Sequence, residues 1–209
     1  PTLQVTARDA SGNIVTSFTG SVSIAIDANP GGGTLAGTTT ATAENGVASF
    51  STLSIGNVGM GYTLGATATG LTSVTSAAFD VMAGAATQLA FTEGPSDVAP
   101  GASISPTIEI TARDAAGNTA TSFTGNVTIA IGTNPAGGTL SGTTTAPATA
   151  GVAIFPALSI DNAGSGYTLT ASSNVTGATS ATFDVTGPLA FASVVAGESH
   201  TCALTSGGA

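Results

Sequence analysis

The sequence has very few of the residues that carry catalytic chemistry. Among 209 residues there is no Lys and no Trp, and there are only two Arg, one His and one Cys. A Ser or Cys nucleophile needs a neighbouring base and an acid that orients it, and the single His200 lies beside Cys202 near the C-terminal end of the sequence. We therefore predict a protein that is not an enzyme and uses no cofactor and no metal.

The scarcity of positive charge excludes nucleic acid as a partner. Two cations against eleven acids give a net charge of −9 and a pI near 4.1, whereas nucleic-acid binding depends on clustered Lys and Arg.

No run of about 18 apolar residues is present, so we predict no membrane span. Cys202 cannot form an internal disulfide alone, and cysteine usage does not identify the compartment. The sequence begins at Pro1 without Met or a signal peptide, and we expect the natural chain to extend upstream.

An internal duplication decides the organisation. PTLQVTARDASGN at residue 1 returns as PTIEITARDAAGN at residue 106, and NPGGGTLAGTTT at 29 returns as NPAGGTLSGTTT at 134. Residues 1–67 and 106–172 align at an offset of 105 with 44 identities, and one deletion then changes the offset to 104. Duplicated units of this size predict two tandem domains.

Each copy alternates apolar and polar residues in short segments and shows no helical periodicity. In the first copy, strands are predicted at 3–7, 22–26, 38–42, 47–53, 62–69 and 76–81. Turn residues that tolerate positive φ or form Asx hydrogen bonds separate these strands. The fold class is therefore predicted to be all-β, with two tandem immunoglobulin-like antiparallel β-sandwiches.

Both copies carry a Tyr in the same local context, NVGMGYTL at 57 and NAGSGYTL at 162. Immunoglobulin-like sandwiches place a Tyr at the corner that enters one strand, where its hydroxyl caps an upstream backbone group. We interpret Tyr62 and Tyr167 as structural tyrosine corners, with Leu64 and Leu169 in the following core position. The alternative is that the two rings form an aromatic binding surface.

The strings TARDASGN, TSFTG, NPGGGTLAGTTT, NGVASF and GYTL resemble the bacterial Ig-like repeats found in tandem in invasin-like adhesins and other surface proteins. The resemblance covers about residues 1–186. It implies an extracellular or cell-surface location and a non-enzymatic stalk or fibre built from β-sandwiches. The alternative functions are an adhesin or glycan-binding module of a larger secreted protein, with a glycan or a host or cell-surface ligand, and an accessory domain of an enzyme.

The C-terminal segment resembles a different family. VAGESHTCALTSGG at 195–208 is similar to the opening of a β-propeller repeat of the regulator-of-chromosome-condensation type. The resemblance implies that His200 and Cys202 are packing residues of a truncated blade. A blade needs four strands and a propeller about four blades, so this segment cannot form one alone.

The two copies differ at their beginnings. We predict a sandwich lacking its first strand at 1–82, a linker at 83–87, a complete sandwich at 88–186 and a strand segment at 187–209. Residues 88–105 supply a first strand to the second copy, and the first copy has no counterpart. An exposed sheet edge and an apolar slot should result.

The missing first strand of the first copy has two explanations. The sequence LAF at 89–91 recurs at 189–191, so Leu189, Ala190 and Phe191 of one chain are predicted to add a strand to the first copy of the next. Head-to-tail addition of this kind makes a homo-oligomer, and an open filament unless the ring closes. The alternative is that residues upstream of Pro1 supply the strand.

The charged residues of the turns receive a structural interpretation. Asp9 with Asn13, and Asp114 with Asn118, are predicted to form Asx turns, and Arg8 and Arg113 to make local ion pairs or carbonyl contacts. The alternative is an interdomain Ca²⁺ site that recruits Asp80, Glu93 or Asp97, although Ca²⁺ takes six to eight oxygen ligands. With a short linker, the two sandwiches should form a semi-rigid rod of roughly 80–90 Å.

Overall fold

A computed structural model describes residues 2–187 of the chain, and this part is all-β without any helix. Within it, accordingly, no helix is long and apolar enough to cross a membrane. The repeated sequence forms repeated structure, which we call repeat one (residues 1–82) and repeat two (residues 88–186). Residues of repeat one up to 67 correspond to those of repeat two 105 positions later, and from 74 onward to those 104 positions later.

Repeat one contains ten strands, all short: β1 (Leu3–Thr6), β2 (Ser21–Ile26), β3 (Leu35–Ala36), β4 (Thr40–Thr42), β5 (Val47–Phe50), β6 (Ser54–Ile55), β7 (Gly59–Tyr62), β8 (Leu64–Ala68), β9 (Val74–Thr75) and β10 (Phe79–Val81). Repeat two contains eleven: β11 (Gln88–Glu93), β12 (Ile108–Arg113), β13 (Asn126–Ile131), β14 (Leu140–Ser141), β15 (Thr145–Pro147), β16 (Val152–Phe155), β17 (Ser159–Ile160), β18 (Gly164–Tyr167), β19 (Leu169–Ser172), β20 (Ala178–Thr179) and β21 (Phe183–Val185).

The pairing of strands is antiparallel and almost the same in the two repeats. In repeat one, a four-stranded sheet has the order β4-β2-β8-β9, and β1 pairs with β5. In repeat two, β15-β13-β19-β20 has the same order, but β12 pairs with β16 on one side and β11 on the other. The predicted class, two tandem immunoglobulin-like β-sandwiches, is therefore confirmed, and β11 is the one strand without a counterpart in repeat one.

Period-2 alternation explains why these segments form half-buried strands. Along β2, Val22 and Ile24 are buried while the Ser residues between and before them are exposed, and β13 repeats the pattern with Val127 and Ile129. The inward residues of facing strands pack together as the core of each repeat.

The strand predicted at 76–81 is shorter in the structure, where it comprises only Phe79–Val81, and a separate strand, Val74–Thr75, precedes it. Val74 and Thr75 pair with β8, whereas Phe79 to Val81 pair with β7 in the opposite sheet. Ser76 makes the crossover, since its Oγ accepts a hydrogen bond from Leu64 N–H and donates to the carbonyl of Ala77. A side-chain hydroxyl that substitutes for the ladder lets the chain leave one sheet and join the other.

The two cores differ in extent. Among the described residues, the buried core of repeat two comprises 17 residues, against six in repeat one. Leu169 is fully buried while the corresponding Leu64 is half-buried, and Phe183 is 3% exposed while Phe79 is 37% exposed. Residues 88–105, which have no counterpart in repeat one, account for this difference in burial through their contacts with the core of repeat two.

Candidate strand-acceptor cleft and repeat junction

Strand β11 completes repeat two by joining both of its sheets. It pairs with β12, with Leu89 opposite Ala112 and Phe91 opposite Ile110. On its other side, Leu89 N–H donates to the carbonyl of Thr176 at 2.8 Å. The side chain of Leu89 is 5% exposed and belongs to the core, and Phe91 packs against it.

The segment that follows β11 covers the other end of the same core. Val98 N–H donates to the carbonyl of Asp184, and Ile104 N–H donates at 2.7 Å to the carbonyl of Leu158. Ile104 is 4% exposed, so its side chain fills the space beside Leu158, which is itself buried. Residues 88–104 therefore close repeat two with one strand and one apolar plug.

Repeat one has an open cleft where β11 lies in repeat two. The cleft has a volume of about 690 Å³ and runs between β1 and β9. Its apolar lining includes Val5, Val22, Ile24, Leu64 and Val74. Val5 and Val74 correspond to Ile110 and Ala178, which flank β11 in repeat two.

A second cavity of about 280 Å³ lies at the place of the apolar plug. Leu53, Ile55 and Phe79 line it, and they correspond to Leu158, Ile160 and Phe183. In repeat two those three residues are 0–3% exposed. Both halves of the segment 88–104 thus have a vacant counterpart in repeat one.

The outer edge of β1 is free to accept a strand. Ala7 N–H donates to the carbonyl of Gly46, and Leu3, Gln4, Val5 and Thr6 pair with β5. Because hydrogen bonds of an antiparallel ladder alternate in direction, the backbone N–H and C=O of Thr6 point away from β5, into the cleft. An unpaired edge beside an apolar slot is a template for strand addition.

Exposed apolar side chains are concentrated in repeat one. Of the eight large hydrophobic residues exposed in the described part of the chain, seven lie there: Ile14, Val58, Met60, Leu71, Val74, Phe79 and Met82. Leu71, Val74 and Phe79 line the two cavities. The exposed apolar surface of repeat one therefore includes the positions that residues 88–104 cover in repeat two.

The two tyrosines are buried in the fold. The Tyr62 hydroxyl donates to the carbonyl of Asn57 at 3.0 Å, and the Tyr167 hydroxyl donates to that of Asn162 at 2.9 Å. Each ring is 0% exposed. Gly61, which adopts a φ of +84°, precedes Tyr62. Both hydroxyls cap a backbone carbonyl five residues upstream, and neither ring lies on a surface.

The two Asx turns have the same internal hydrogen bonds. Asp9 Oδ1 accepts from Ser11 N–H and Asn13 N–H, and Asp114 Oδ1 accepts from Ala116 N–H and Asn118 N–H. These bonds stabilise the carboxylate. The backbone of Asn13 thereby lowers the pKa of Asp9.

The turn of repeat two has two further contacts, and both join it to the preceding part of the chain. Asp114 Oδ2 accepts from Gly84 N–H in the linker at 2.9 Å, and Asn118 Nδ2 donates to the carbonyl of Gly56 in repeat one at 2.8 Å. The Asn118 side chain and the Gly84 N–H lower the pKa of Asp114 to about 2. Asp114 therefore stays ionised far below neutral pH. We call the contacts of Asp114 with Gly84 and of Asn118 with Gly56 the junction.

The other acidic residues considered for Ca²⁺ are separate from one another. Asp80 Oδ1 accepts from Gly61 N–H, and Asp97 Oδ1 accepts from Asp184 N–H. No group of three or more His, Cys, Asp and Glu that could hold a metal occurs within residues 2–187. Arg8 and Arg113 make carbonyl contacts, donating from Nη1 to Gly12 at 2.6 Å and Gly117 at 3.0 Å respectively.

The predicted donor residues Leu189, Ala190 and Phe191 lie outside the described residues, as do His200 and Cys202 and the rest of the propeller-like segment. The contacts of Asp114 with Gly84 and of Asn118 with Gly56 do not follow from the sequence. The sequence contains the Asx motif twice, but nothing in the motif indicates that one of its two copies contacts another repeat.

No family model matches the chain, and no curated protein matches it significantly. Among solved structures, it is similar to a β-glycosidase from Bacteroides vulgatus (14% identity, TM-score 0.43, covering 80% of this chain and 21% of that one). It is also similar to domains 4–9 of the surface layer protein SbsC (16%, 0.37, 90% and 25%) and to invasin, a bacterial integrin-binding protein (18%, 0.32, 90% and 36%). The chain spans about a fifth to a third of the length of these proteins.

Proposed function

We propose that this chain is a non-enzymatic extracellular structural protein, a segment of a surface stalk or filament made of tandem Ig-like domains, and that repeat one is completed by an added strand. The observation that carries the proposal is the pairing of one complete and one incomplete sandwich in a single chain. A sandwich that lacks an edge strand leaves backbone groups unpaired beside an open apolar slot, and such an edge is a template for an added strand.

The junction supports the proposed role of a spacer. Asn118 and Asp114 connect repeat two to Gly56 and Gly84 by hydrogen bonds, and these bonds restrict the movement of one sandwich against the other. The carboxylate keeps its charge at acidic pH because its pKa is lowered to about 2. Such a junction suits a semi-rigid spacer that is exposed to varying external conditions.

The alternative of an adhesin or glycan-binding module needs exposed aromatic rings to stack on a sugar or contact a host ligand. Both tyrosines are buried, and in the described part of the chain Phe79 is the exposed aromatic residue. Phe79 lines the second cavity of repeat one. Its exposure is therefore explained by the missing segment, and a structural role accounts better for these residues.

The junction gives the first test. Replacing both Asp114 and Asn118 with Ala should loosen the two repeats, because it removes the hydrogen bonds to Gly84 and Gly56. Small-angle X-ray scattering of the monomer should give a narrow distance distribution with a maximum of roughly 80–90 Å for the original chain. The distribution of the double variant should broaden.

The matched control is the same double substitution in repeat one, Asp9→Ala with Asn13→Ala. It breaks an equivalent Asx turn that has no described contact with the linker or repeat two, and its scattering should match that of the original chain. A junction variant that scatters like this control would contradict the proposed spacer role.

A further inference from the structure

We infer that the cleft of repeat one is a strand-acceptor site for residues 188–193 of a second copy of this chain. Leu189 is placed opposite Ala7, Ala190 opposite Thr6 and Phe191 opposite Val5. The inference deepens the proposed function, on which it rests, by naming the partner of the open edge and the register in which it binds.

Repeat two supplies the template for this register. Its own first strand pairs Leu89 with Ala112, Ala90 with Thr111 and Phe91 with Ile110. Ala112, Thr111 and Ile110 correspond to Ala7, Thr6 and Val5 at the offset of 105. Since β1 and β12 pair with their next neighbours, β5 and β16, in the same register, the free edge of β1 presents the same sequence of donors and acceptors.

The occupant is identified by its side chains. Leu89 is buried against the core of repeat two, and Phe91 packs beside it, while Ala90 points to the other face of the sheet. The sequence LAF occurs at two places in the chain, 89–91 and 189–191. The segment PLAFAS at 188–193 carries no charge, which suits a cleft lined by Val5, Val22, Ile24 and Leu64.

The arrangement of the repeats points to another molecule as the source. Strand β10 leads directly into the linker and the junction at Gly84, so the corresponding strand β21 ends at the side of repeat two that faces away from repeat one. Leu189 follows Val185 by four residues, and four extended residues span at most about 14 Å. The segment cannot return past the whole of repeat two, but it can reach a further chain stacked on that end.

The contact is head-to-tail. The chain that donates its segment 188–193 keeps the cleft of its own repeat one free for the segment of a third chain. Each copy donates from the end of repeat two and accepts in repeat one, so the interaction is heterologous and continues into a filament unless it closes a ring. The linker before the donated strand is shorter than the one inside the chain, because Leu189 follows Val185 by four residues whereas Leu89 follows Val81 by eight. Neighbouring chains should therefore approach more closely than the two repeats within a chain.

A cysteine cross-link tests the partner and the register together. One full chain carries Thr6→Cys and the other Ala190→Cys, both with Cys202→Ser so that no other thiol is present. Directly opposite residues in a hydrogen-bonded antiparallel pair have Cα atoms about 5.5 Å apart, which lies within the range that a disulfide spans. Mild oxidation of the mixture should give a covalent dimer joining one chain of each kind.

Two controls separate the register from chance collision. Ser193→Cys, mixed with Thr6→Cys, places the thiols three residues out of register and should give little dimer. Thr111→Cys, mixed with Ala190→Cys, uses the equivalent edge position that β11 already occupies, and it should give none. A mixture of the matched pair that yields no more dimer than these controls would overturn the inference.

A single chain that carries both Thr6→Cys and Ala190→Cys tests whether the segment binds repeat one of its own chain. If this chain forms an internal disulfide as a monomer while the mixture forms no dimer, the segment binds its own repeat one and the inference is overturned. Either negative result leaves the scattering test of the junction unaffected, so failure of strand exchange is distinguishable from failure of the proposed structural role.

Discussion

Replacing Leu189 and Phe191 with Asn should convert the head-to-tail oligomers that we expect of this chain into monomers. Burial of one Leu or Phe side chain contributes about 1.5–3 kcal/mol, so loss of both weakens association by about 3–6 kcal/mol, or roughly a hundredfold to ten-thousandfold. Sedimentation velocity over a range of protein concentrations measures the effect as a shift from head-to-tail oligomers to a single slow species. Deletion of residues 188–193 should have the same result.

The control for this experiment lies in the same C-terminal segment. Leu204→Asn changes an apolar residue of the propeller-like sequence outside 188–193, and it should leave association unchanged. If Leu204→Asn disrupts oligomers as strongly as the Leu189 and Phe191 substitutions, the contact is a general apolar association of the C-terminal segment and not the addition of one strand.

The second large effect is a difference in stability between two equivalent phenylalanines. Phe183→Ala should destabilise repeat two by about 3–5 kcal/mol, the usual cost of removing a fully buried Phe. Phe79→Ala should cost repeat one less than about 2 kcal/mol, because 37% of its surface is already exposed and its cavity opens to solvent. Urea titration read by hydrogen-exchange mass spectrometry reports the stability of each repeat separately.

This comparison is made at concentrations at which the chain is monomeric, so that no second copy covers Phe79. Phe50→Ala and Phe155→Ala provide the matched control, since both rings are 1% exposed at equivalent positions. Those two substitutions should cost their repeats similar amounts. Equal losses for Phe79→Ala and Phe183→Ala would mean that the cavities of repeat one are closed in solution.

Much of the fold follows from the sequence because it is written twice. Alternation around Val22 and Ile24 predicts one strand, and the same alternation around Val127 and Ile129 predicts its counterpart. Each copy therefore supports the prediction made for the other. The absence of a counterpart to residues 88–105 predicts the open edge of β1, where the structure has a cleft of about 690 Å³. These features are local in sequence or follow from comparison of the two copies.

Other features depend on tertiary context that local patterns do not contain. The segment 76–81 reads as one strand, but only Phe79–Val81 forms one, because the hydroxyl of Ser76 takes part in the crossover from Val74–Thr75 to the opposite sheet. Asp9 and Asp114 stand in almost identical sequences, yet only the second carboxylate binds the linker among the described contacts. Which turn meets another repeat is decided by the order of the domains, and composition and spacing do not encode it.

Hydrogen exchange along β1 tests strand addition most directly, because the backbone of Thr6 faces the open edge of the cleft. Protection of residues 3–7 should increase with the concentration of the full chain, whereas the equivalent residues 108–112 should be protected at every concentration, since β11 covers them. The Leu189→Asn, Phe191→Asn variant should show no such increase. Protection of residues 3–7 that is independent of concentration and unaffected by those substitutions would contradict strand addition from a second copy.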